Sequence, residues 1–214
     1  MNDATGAVLA LWNDVAPEMR DDYEDWHANE HVPERLTVPG MLWGRRYLRT
    51  GTDPGEGEGT VPRYLTLYGM RDAAVLESEP YRLLLARPTP ASARMRPHLR
   101  DLSRWVCEVV ERRGAFGAMA AGGLAVWTSN TEDAVRAFAR EHVPDGTGDL
   151  LLCRRCPDAA PLPWLAGTQA AAAAVDGSWL LAVGLPAMPD AARQRDAMAG
   201  ATLYRGLAVA AVRP

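Results

Sequence analysis

The feature that most constrains the fold of this chain is a short segment that occurs twice. Residues 30–33 read Glu-His-Val-Pro, and the same four residues return in the same order at 141–144. The first copy belongs to a longer segment, Trp-His-Ala-Asn-Glu-His-Val-Pro at 26–33, which holds two of the four histidines. Such a repeat in a 214-residue chain predicts two related halves.

Hydrophobic periodicity predicts the same order of elements in both halves. In the first half it predicts helices at 18–36 and 72–85, and strands at 7–12, 41–49, 63–68 and 102–112. In the second half it predicts helices at 131–142 and 190–198, and strands at 124–127, 149–156, 179–185 and 203–205. Each half is therefore a βαββαβ unit. We predict an α+β fold of two tandem ferredoxin-like units, 1–113 and 124–214, joined by a glycine- and alanine-rich linker at 114–123.

Each unit should form a four-stranded antiparallel sheet with helices on one face. The other face would remain apolar and exposed unless it packs against its counterpart. We therefore expect the two sheets to pack on each other as an intrachain pseudo-dimer, with a cavity between sheet and helices in each half. A further homodimer of whole chains is left open.

Composition excludes several classes of function. The net charge of -4 and the lack of a basic cluster predict no nucleic-acid partner. Without any lysine, the chain has neither Schiff-base nor P-loop chemistry. We see no secretory signal and no apolar segment long enough to span a bilayer, and three cysteines without a framework suit a reducing compartment. We expect a cytoplasmic protein with a small-molecule substrate, no membrane partner and no cofactor.

The repeated segment contains a metal-like motif. His27, Glu30 and His31 match the H-x-x-E-H pattern, and helical spacing would place both imidazoles on one face. In the second copy, however, the position of His27 is Phe138, while Glu and His recur. The unit that both halves retain is a Glu-His pair, so we predict that no metal binds.

The Glu-His pair has two interpretations that the sequence leaves open. A histidine on a pocket wall is a natural general acid or base near neutral pH, which makes His31 a catalytic candidate. Glu30 continues the stripe of the helix that should be buried, so it would orient His31 or have a raised pKa. Alternatively, both residues satisfy backbone groups at the helix end near Pro33.

Further candidates lie on the strands. Tyr64 and Tyr68 share one strand face with Thr66, where their phenols could donate to a developing oxyanion or simply pack across strands. Arg45 and Arg46 face opposite sides of a strand, so one of them, taken as Arg46, would face the cavity and bind substrate. Since Arg154-Arg155 repeats this pair, an Arg-Glu bridge is the alternative.

Four more side chains are candidates for substrate binding. Trp26 and His27 lie on the first helix, Trp12 on the first strand, and His98 on the segment before the fourth strand. The tryptophans suit a planar ligand but equally suit core packing, and His98 reaches either the cavity mouth or the surface.

A family resemblance rests on several of these segments. They are Tyr23-Glu-Asp-Trp26, Glu30-His-Val-Pro-Glu-Arg-Leu36, Pro39-Gly40, Gly44-Arg-Arg-Tyr47, Tyr64-Leu-Thr-Leu-Tyr68, Pro88-Thr-Pro90 and 94–104. The chain resembles the dimeric α+β barrel superfamily, in particular its EthD-like branch, over nearly all of 5–112. The resemblance implies a ferredoxin-like fold with a pocket between helices and sheet. The second half keeps the order of elements but not the Tyr/Trp face of the first helix, so we expect the working site in the first half.

The superfamily includes cofactor-free monooxygenases, isomerases, polyketide cyclases, dehydratases and haem enzymes, so the fold alone narrows function little. We expect a cofactor-independent enzyme of bacterial secondary or aromatic metabolism. It would act on a small apolar carbonyl or phenolic substrate through His31 and Glu30, by cyclisation, isomerisation, decarboxylation or oxygenation. The alternatives are a non-catalytic binding module for a pathway intermediate, and a haem protein with His31 or His98 as axial ligand.

Overall fold

The fold is built around one closed barrel of eight antiparallel strands. The structure is a computed structural model that describes residues 5–50, 61–114, 122–143, 148–157, 162, 175–185 and 200–208. The strands are β1 (Ala7–Val15), β2 (Met41–Arg49), β3 (Tyr64–Met70), β4 (Leu99–Arg113), β5 (Gly123–Ser129), β6 (Asp149–Arg155), β7 (Trp179–Leu185) and β8 (Thr202–Leu207). They follow one another around the barrel as β1-β3-β2-β8-β5-β7-β6-β4.

The two halves of the chain contribute strands in the same spatial order. Around the barrel the first half reads β4-β1-β3-β2 and the second reads β8-β5-β7-β6, so each runs fourth, first, third, second. Two antiparallel ladders, β2 with β8 and β4 with β6, join the halves. Closure pairs every strand on both sides and leaves no open sheet edge.

Alternation along each strand divides the protein into an interior core and outer layers. On β1, Val8, Ala10 and Trp12 face the barrel interior, whereas Leu9 and Leu11 face the helices. Both halves supply the interior core, which comprises Val8, Ala10, Trp12, Tyr47, Leu65, Leu67, Trp105, Cys107, Leu124, Val126, Leu151, Cys153, Val175, Leu180, Ala182 and Tyr204. The helices cover the outer faces and enclose separate apolar clusters in the two halves.

The α-helices are short. They are α1 (Arg20–Trp26), α2 (Val32–Arg35), α3 (Glu79–Ala86), α4 (Pro90–Met95) and α5 (Glu132–His142), with 3-10 turns at Pro17–Met19, Ala73–Glu77 and Arg96–His98. In the described part of the chain, none of them combines the length and apolar character that crossing a membrane requires.

The first helix is interrupted by a π-helical turn. His27–His31 separates α1 from α2, and the N–H of Val32 bonds to the carbonyl oxygen of His27, five residues back. Pro33 explains this turn: it has no N–H for the carbonyl of Asn29, and its ring would clash with that carbonyl in a regular α-helix. Widening the helix by one residue relieves the clash. We call residues 20–35, with this turn, the first helix.

Several boundaries differ from the sequence prediction. The helix predicted at 72–85 is a 3-10 turn followed by α3, which Ser78 caps: its hydroxyl accepts from the N–H of Tyr81. β4 starts three residues earlier than predicted. Thr131 caps α5, because its hydroxyl accepts from the N–H of Ala134. The helix predicted at 190–198 and most of the predicted linker, 115–121, lie outside the described residues.

Candidate active site

A cavity of about 50 Å³ lies between the first helix and the outer face of the first-half sheet. That is several times the ~10–15 Å³ that one water needs. Its polar lining consists of Asn13, Tyr23, His27, His31, Arg35, Thr66, Arg96 and Arg104. Its remaining lining consists of Leu11, Trp26, Tyr81, Leu85, Leu99, Leu102 and Leu162. We call this space the first-half cavity.

The rings of Tyr23, Trp26, His27 and His31 pack together on one wall of the first-half cavity, and Tyr64 packs against Tyr23 from outside the lining. Tyr64 contacts Tyr23 at a centroid distance of 4.6 Å, Tyr23 stacks on His27 at 4.9 Å, and His27 stacks on His31 at 5.3 Å. His31 then contacts Trp26 at 4.5 Å. The two histidines lie on one face, as their spacing predicts. The stack fixes the planes of both imidazoles.

His27 is buried and tied to Arg46. The Nε of Arg46 donates to Nδ1 of His27 at 2.8 Å, and its Nη1 donates to the carbonyl oxygen of Ala208 at 3.0 Å. Because a guanidinium only donates, Nδ1 of His27 carries no proton and Nε2 carries the single N–H. Burial, followed by the charges of Arg46 and Arg35, lowers the pKa of His27 well below its ordinary value of 6.5. His27 is therefore a neutral hydrogen-bond donor near pH 7.

His31 differs because Arg46 does not reach it. Its Nδ1 is buried and has no hydrogen-bond partner among the described residues. Burial, then the charges of Arg35, His27 and Arg96, lowers the pKa of His31 well below 6.5. His31 is thus an unprotonated imidazole on the cavity wall at neutral pH, with no hydrogen bond that fixes its tautomer at Nδ1.

Glu30 makes a contact that the sequence did not predict. Its Oε1 accepts from the hydroxyl of Thr89, the cap of α4, and the same hydroxyl accepts from the N–H of Ser92 at 3.0 Å. Ser92 in turn accepts from the indole N–H of Trp26 at 3.3 Å. Glu30 is half-buried and does not line the cavity. These hydrogen bonds fasten the first helix to α4.

The predicted tyrosines lie behind the cavity. Thr66 lines it, but Tyr64 and Tyr68 do not, although all three share the predicted strand face. The Tyr64 phenol donates to Oε1 of Glu24 at 3.1 Å, and the Tyr68 phenol is buried without a hydrogen-bond partner in the described structure. Burial raises the pKa of both phenols. The tyrosines that line the cavity are instead Tyr23 and Tyr81. The phenol of Tyr23 donates to Oδ1 of Asn13 at 3.0 Å.

Three other residues predicted to bind substrate lie in different parts of the structure. Trp26 lines the first-half cavity. Trp12 lies on the opposite face of the sheet and packs edge-on against Trp105 in the barrel interior, because even-numbered positions of β1 point inward. His98 is exposed at the end of a 3-10 turn, while its neighbours Arg96 and Leu99 reach the cavity.

Sequence reasoning missed five polar residues of the cavity: Asn13, Tyr23, Arg35, Arg96 and Arg104. The sequence does contain a signal for Asn13: it ends an otherwise apolar β1, and a buried amide needs a hydrogen-bond partner. Tyr23 belongs to the stripe of the first helix that the sequence marks as buried. The arginines carry no such signal, because they come from three elements whose contacts depend on the tertiary fold.

The second half contains a simplified version of the same wall. Phe138, at the position of His27, stacks on His142 at 4.1 Å and on Trp127 at 4.6 Å. Nδ1 of His142 lies 3.1 Å from the carbonyl oxygen of Phe138, one turn back. Arg154 of the second half forms a surface ion pair with Glu108 of the first half at 2.7 Å, so an Arg-Glu bridge occurs at the repeat of the Arg45-Arg46 pair and joins the two halves.

The described residues do not assemble a metal or haem site. No three or more His, Cys, Asp or Glu side chains among them could hold a metal ion together. The His31 ring is packed between Trp26 and His27 with its Nδ1 buried, and His98 does not line the cavity. The described residues of this cavity therefore do not fit a haem.

Comparison with known proteins supports the fold. No protein-family model matches the chain, and no curated protein sequence is detectably similar to it. Among solved structures, an anthrone oxidase-like protein is 12% identical and aligns over 99% of this chain and 95% of its own, with a TM-score of 0.54.

Two further structures align over almost the whole chain. A candidate monooxygenase from Fusobacterium nucleatum subsp. nucleatum ATCC 25586 is 8% identical over 96% of this chain and 94% of its own, with a TM-score of 0.50. A candidate chlorite dismutase is 13% identical over 94% of each chain, also with a TM-score of 0.50. At these identities the likeness concerns the fold alone, an α+β arrangement around an eight-stranded antiparallel barrel.

Proposed function

We propose that the chain is a cofactor-independent enzyme that moves a proton on a small, largely apolar carbonyl or phenolic substrate bound in the first-half cavity. The observation that carries this proposal is the neutral imidazole of His31 on the cavity wall. Stacking holds its ring in place, and no described group bonds to its Nδ1.

His31 acts as the general base in this proposal. Because its pKa lies well below 6.5, the ring is unprotonated at neutral pH and accepts a proton from an acidic C–H or O–H of the substrate. The product of this step is an enolate or phenolate. Such an anion then cyclises onto a second carbonyl, isomerises by taking a proton at another carbon, or reacts with oxygen, according to the substrate. In a decarboxylation, the loss of carbon dioxide itself forms the enolate, which then takes up a proton.

His27 and Arg35 stabilise the developing anion. The Nε2–H of neutral His27 donates to the substrate oxygen, and the fixed tautomer keeps this donor in place through the reaction. Arg35 is 4% exposed on the same wall, where low solvent access strengthens the attraction between its charge and the anion. Glu30 contributes indirectly, because its bond to Thr89 holds the first helix in position.

A non-catalytic binding module is the alternative function. Solvent exchange distinguishes the two: a panel of small aryl ketones and phenols is incubated with the protein in deuterium oxide and followed by proton NMR. Enzyme-accelerated loss of the signal of an acidic C–H on at least one member supports proton transfer. Calorimetric binding of panel members with no accelerated exchange for any of them contradicts it and favours the binding module.

We also propose that the chain is a tandem duplication of one ferredoxin-like unit, with boundaries at 1–113, 114–123 and 124–214, and that it belongs to the EthD-like branch. The equal strand order of the two halves supports the duplication. The stack of Phe138 on His142 at the position of His27 and His31 supports it further. Because the ring nitrogen of His142 lies next to a backbone oxygen, we assign the chemistry to the first half.

A further inference from the structure

The lining of the first-half cavity carries positive charge. Arg35 reaches it from α2, Arg96 from the 3-10 turn before β4, and Arg104 from β4 itself. No Asp or Glu belongs to the described lining. Glu34 offsets part of this charge, because its Oε2 lies 3.1 Å from Nη1 of Arg35. Arg96 also donates from Nη2 to the carbonyl oxygen of Leu85 at 3.3 Å. Three arginines thus line one small space.

These arginines act on the groups around the cavity. Burial lowers the pKa of Arg96, the charge of Arg35 lowers it further, and the charge of Glu34 raises it. Arg35 and Arg96 also add to the effect of burial on His31. A guanidinium group that lines a partly buried space favours a ligand with anionic oxygens, to which it can donate two hydrogen bonds.

Part of the lining is apolar. Leu11, Leu85, Leu99 and Leu102 surround the cavity beside the indole ring of Trp26. Such a surface favours a flat hydrocarbon body, whereas the guanidinium groups favour a planar group with two anionic oxygens. The combination is typical of a site for a small amphiphilic acid.

We propose that the first-half cavity binds a small aromatic carboxylate, with its ring against the leucines and Trp26 and its carboxylate facing Arg35, Arg96 and Arg104. As a description of the substrate, this inference rests on the proposed function and names the chemical class of that substrate. As a statement about binding, it stands independently of catalysis.

Benzoate and benzamide test the inference, because they share size and shape and differ in charge. We expect isothermal titration calorimetry to detect benzoate binding, and benzamide to bind at least about tenfold more weakly. Equal affinity for the two compounds, or no heat from either at millimolar concentration, would overturn the inference.

Substitutions of single arginines identify which of them bind the carboxylate. Arg104→Gln and Arg96→Gln should each weaken benzoate binding about tenfold, which is the loss of one charge-assisted hydrogen bond, and leave benzamide binding unchanged. Arg104→Lys and Arg96→Lys should retain part of the affinity. Arg94→Gln is the matched control, because Arg94 is an exposed arginine on neighbouring α4. An equal loss in Arg94→Gln would attribute binding to diffuse surface charge and overturn the inference.

Thermal unfolding of each variant checks that the barrel remains folded. If a Gln variant does not fold, the matching Lys variant and the comparison of benzoate with benzamide test the inference in its place. These titrations measure no turnover. Loss of the benzoate preference would therefore leave the role of His31 standing, and loss of the His31 role would leave the benzoate preference standing.

Discussion

The two histidines of the first helix have different chemistry because Arg46 bonds to only one of them. His27 accepts from Arg46 at Nδ1 and is fixed as a donor at Nε2. His31 has no described partner at Nδ1 and is a base in our proposal. Two residues of one type, four positions apart, thus take complementary roles.

The tautomer of His27 is a direct prediction. In wild-type protein at pH 7.5, long-range proton–nitrogen NMR should show a bare Nδ1 and a protonated Nε2 for this ring. Arg46→Gln offers a neutral amide in place of the guanidinium, so the Nδ1–H tautomer should become populated. A protonated Nδ1 in the wild-type protein would rule out the role of His27 as a donor from Nε2.

Stability should depend on the same rings at acidic pH. Their pKa values are lowered in the folded state, so the unfolded chain takes up protons first as the pH falls through 6.5. Their contribution is therefore complete above about pH 6.5 and declines below it. A fully buried neutral histidine loses about 1.4 kcal/mol at pH 5.5.

Urea unfolding at pH 7.5 and pH 5.5 measures this decline. His27→Gln should reduce it by about one histidine's share, about 1.4 kcal/mol. His98→Gln, at an exposed position, is the control and should behave as wild type. An undiminished decline in His27→Gln would contradict the lowered pKa of His27 in the folded protein.

At the scale of elements, the closest contact between the first helix and the sheet depends on Gly44 of β2. A Cβ at this position would lie 2.8 Å from Cγ1 of Val32 and 3.3 Å from the ring of Tyr68. Val32 directly follows the π turn that carries both histidines. The space at Gly44 therefore sets how near the histidines approach the sheet.

Gly44→Ala should lower the free energy of unfolding by about 1–3 kcal/mol, the range for overpacking in a core. Val32→Ala removes the clashing methyl groups, so Gly44→Ala combined with Val32→Ala should cost less than the sum of the two single changes. Chemical denaturation of the four proteins gives this coupling. Strict additivity would show that the helix does not press on the sheet at this point.

Much of the architecture was predictable from sequence because it depends on local periodicity. Apolar alternation located β2 at its observed bounds, and the repeat predicted the order of elements on each side of the barrel. Periodicity does not predict the π turn, since the apolar stripe of 18–36 is that of one regular helix. Pro33 was the available signal, because proline inside a helix removes a hydrogen bond and forces a local change.

The cavity was less predictable than the fold. The spacing of His27 and His31 correctly placed them on one face, but the partner of Glu30 is Thr89, which is 59 residues away in sequence. Trp12 and Thr66 show that strand parity decides whether a side chain faces the barrel interior or the helices. The arginines of the cavity are brought together only by closure of the tertiary structure.

At the scale of the whole molecule, the two halves share one interior core. Trp105 of the first half contacts Trp12 at 5.3 Å, and the guanidinium of Arg155 from the second half lies 4.7 Å above its ring. Ladders β2–β8 and β4–β6 close the barrel around this core. Neither half can therefore unfold without exposing the core of the other.

We expect a single cooperative unfolding transition, with coincident circular dichroism and tryptophan fluorescence curves. Trp105→Ala, which removes a fully buried ring, should keep one transition and lower the free energy of unfolding by about 3–5 kcal/mol. Two separated transitions, in the wild type or the variant, would show that the halves fold independently.

Function is expected to be asymmetric although the fold is nearly symmetric. The first half carries two histidines with lowered pKa values in a cavity that three arginines also line, and the second carries Phe138 and a histidine next to a backbone oxygen. Replacing the histidine of each half in the same way compares them directly.

The most direct test is the rate of solvent deuterium exchange into a substrate identified from the ketone and phenol panel. His31→Gln should slow exchange about 100-fold or more, the size of a lost general base, while His142→Gln leaves the rate unchanged. Equal rates in wild type and His31→Gln, with both proteins folded, would contradict His31 as the base.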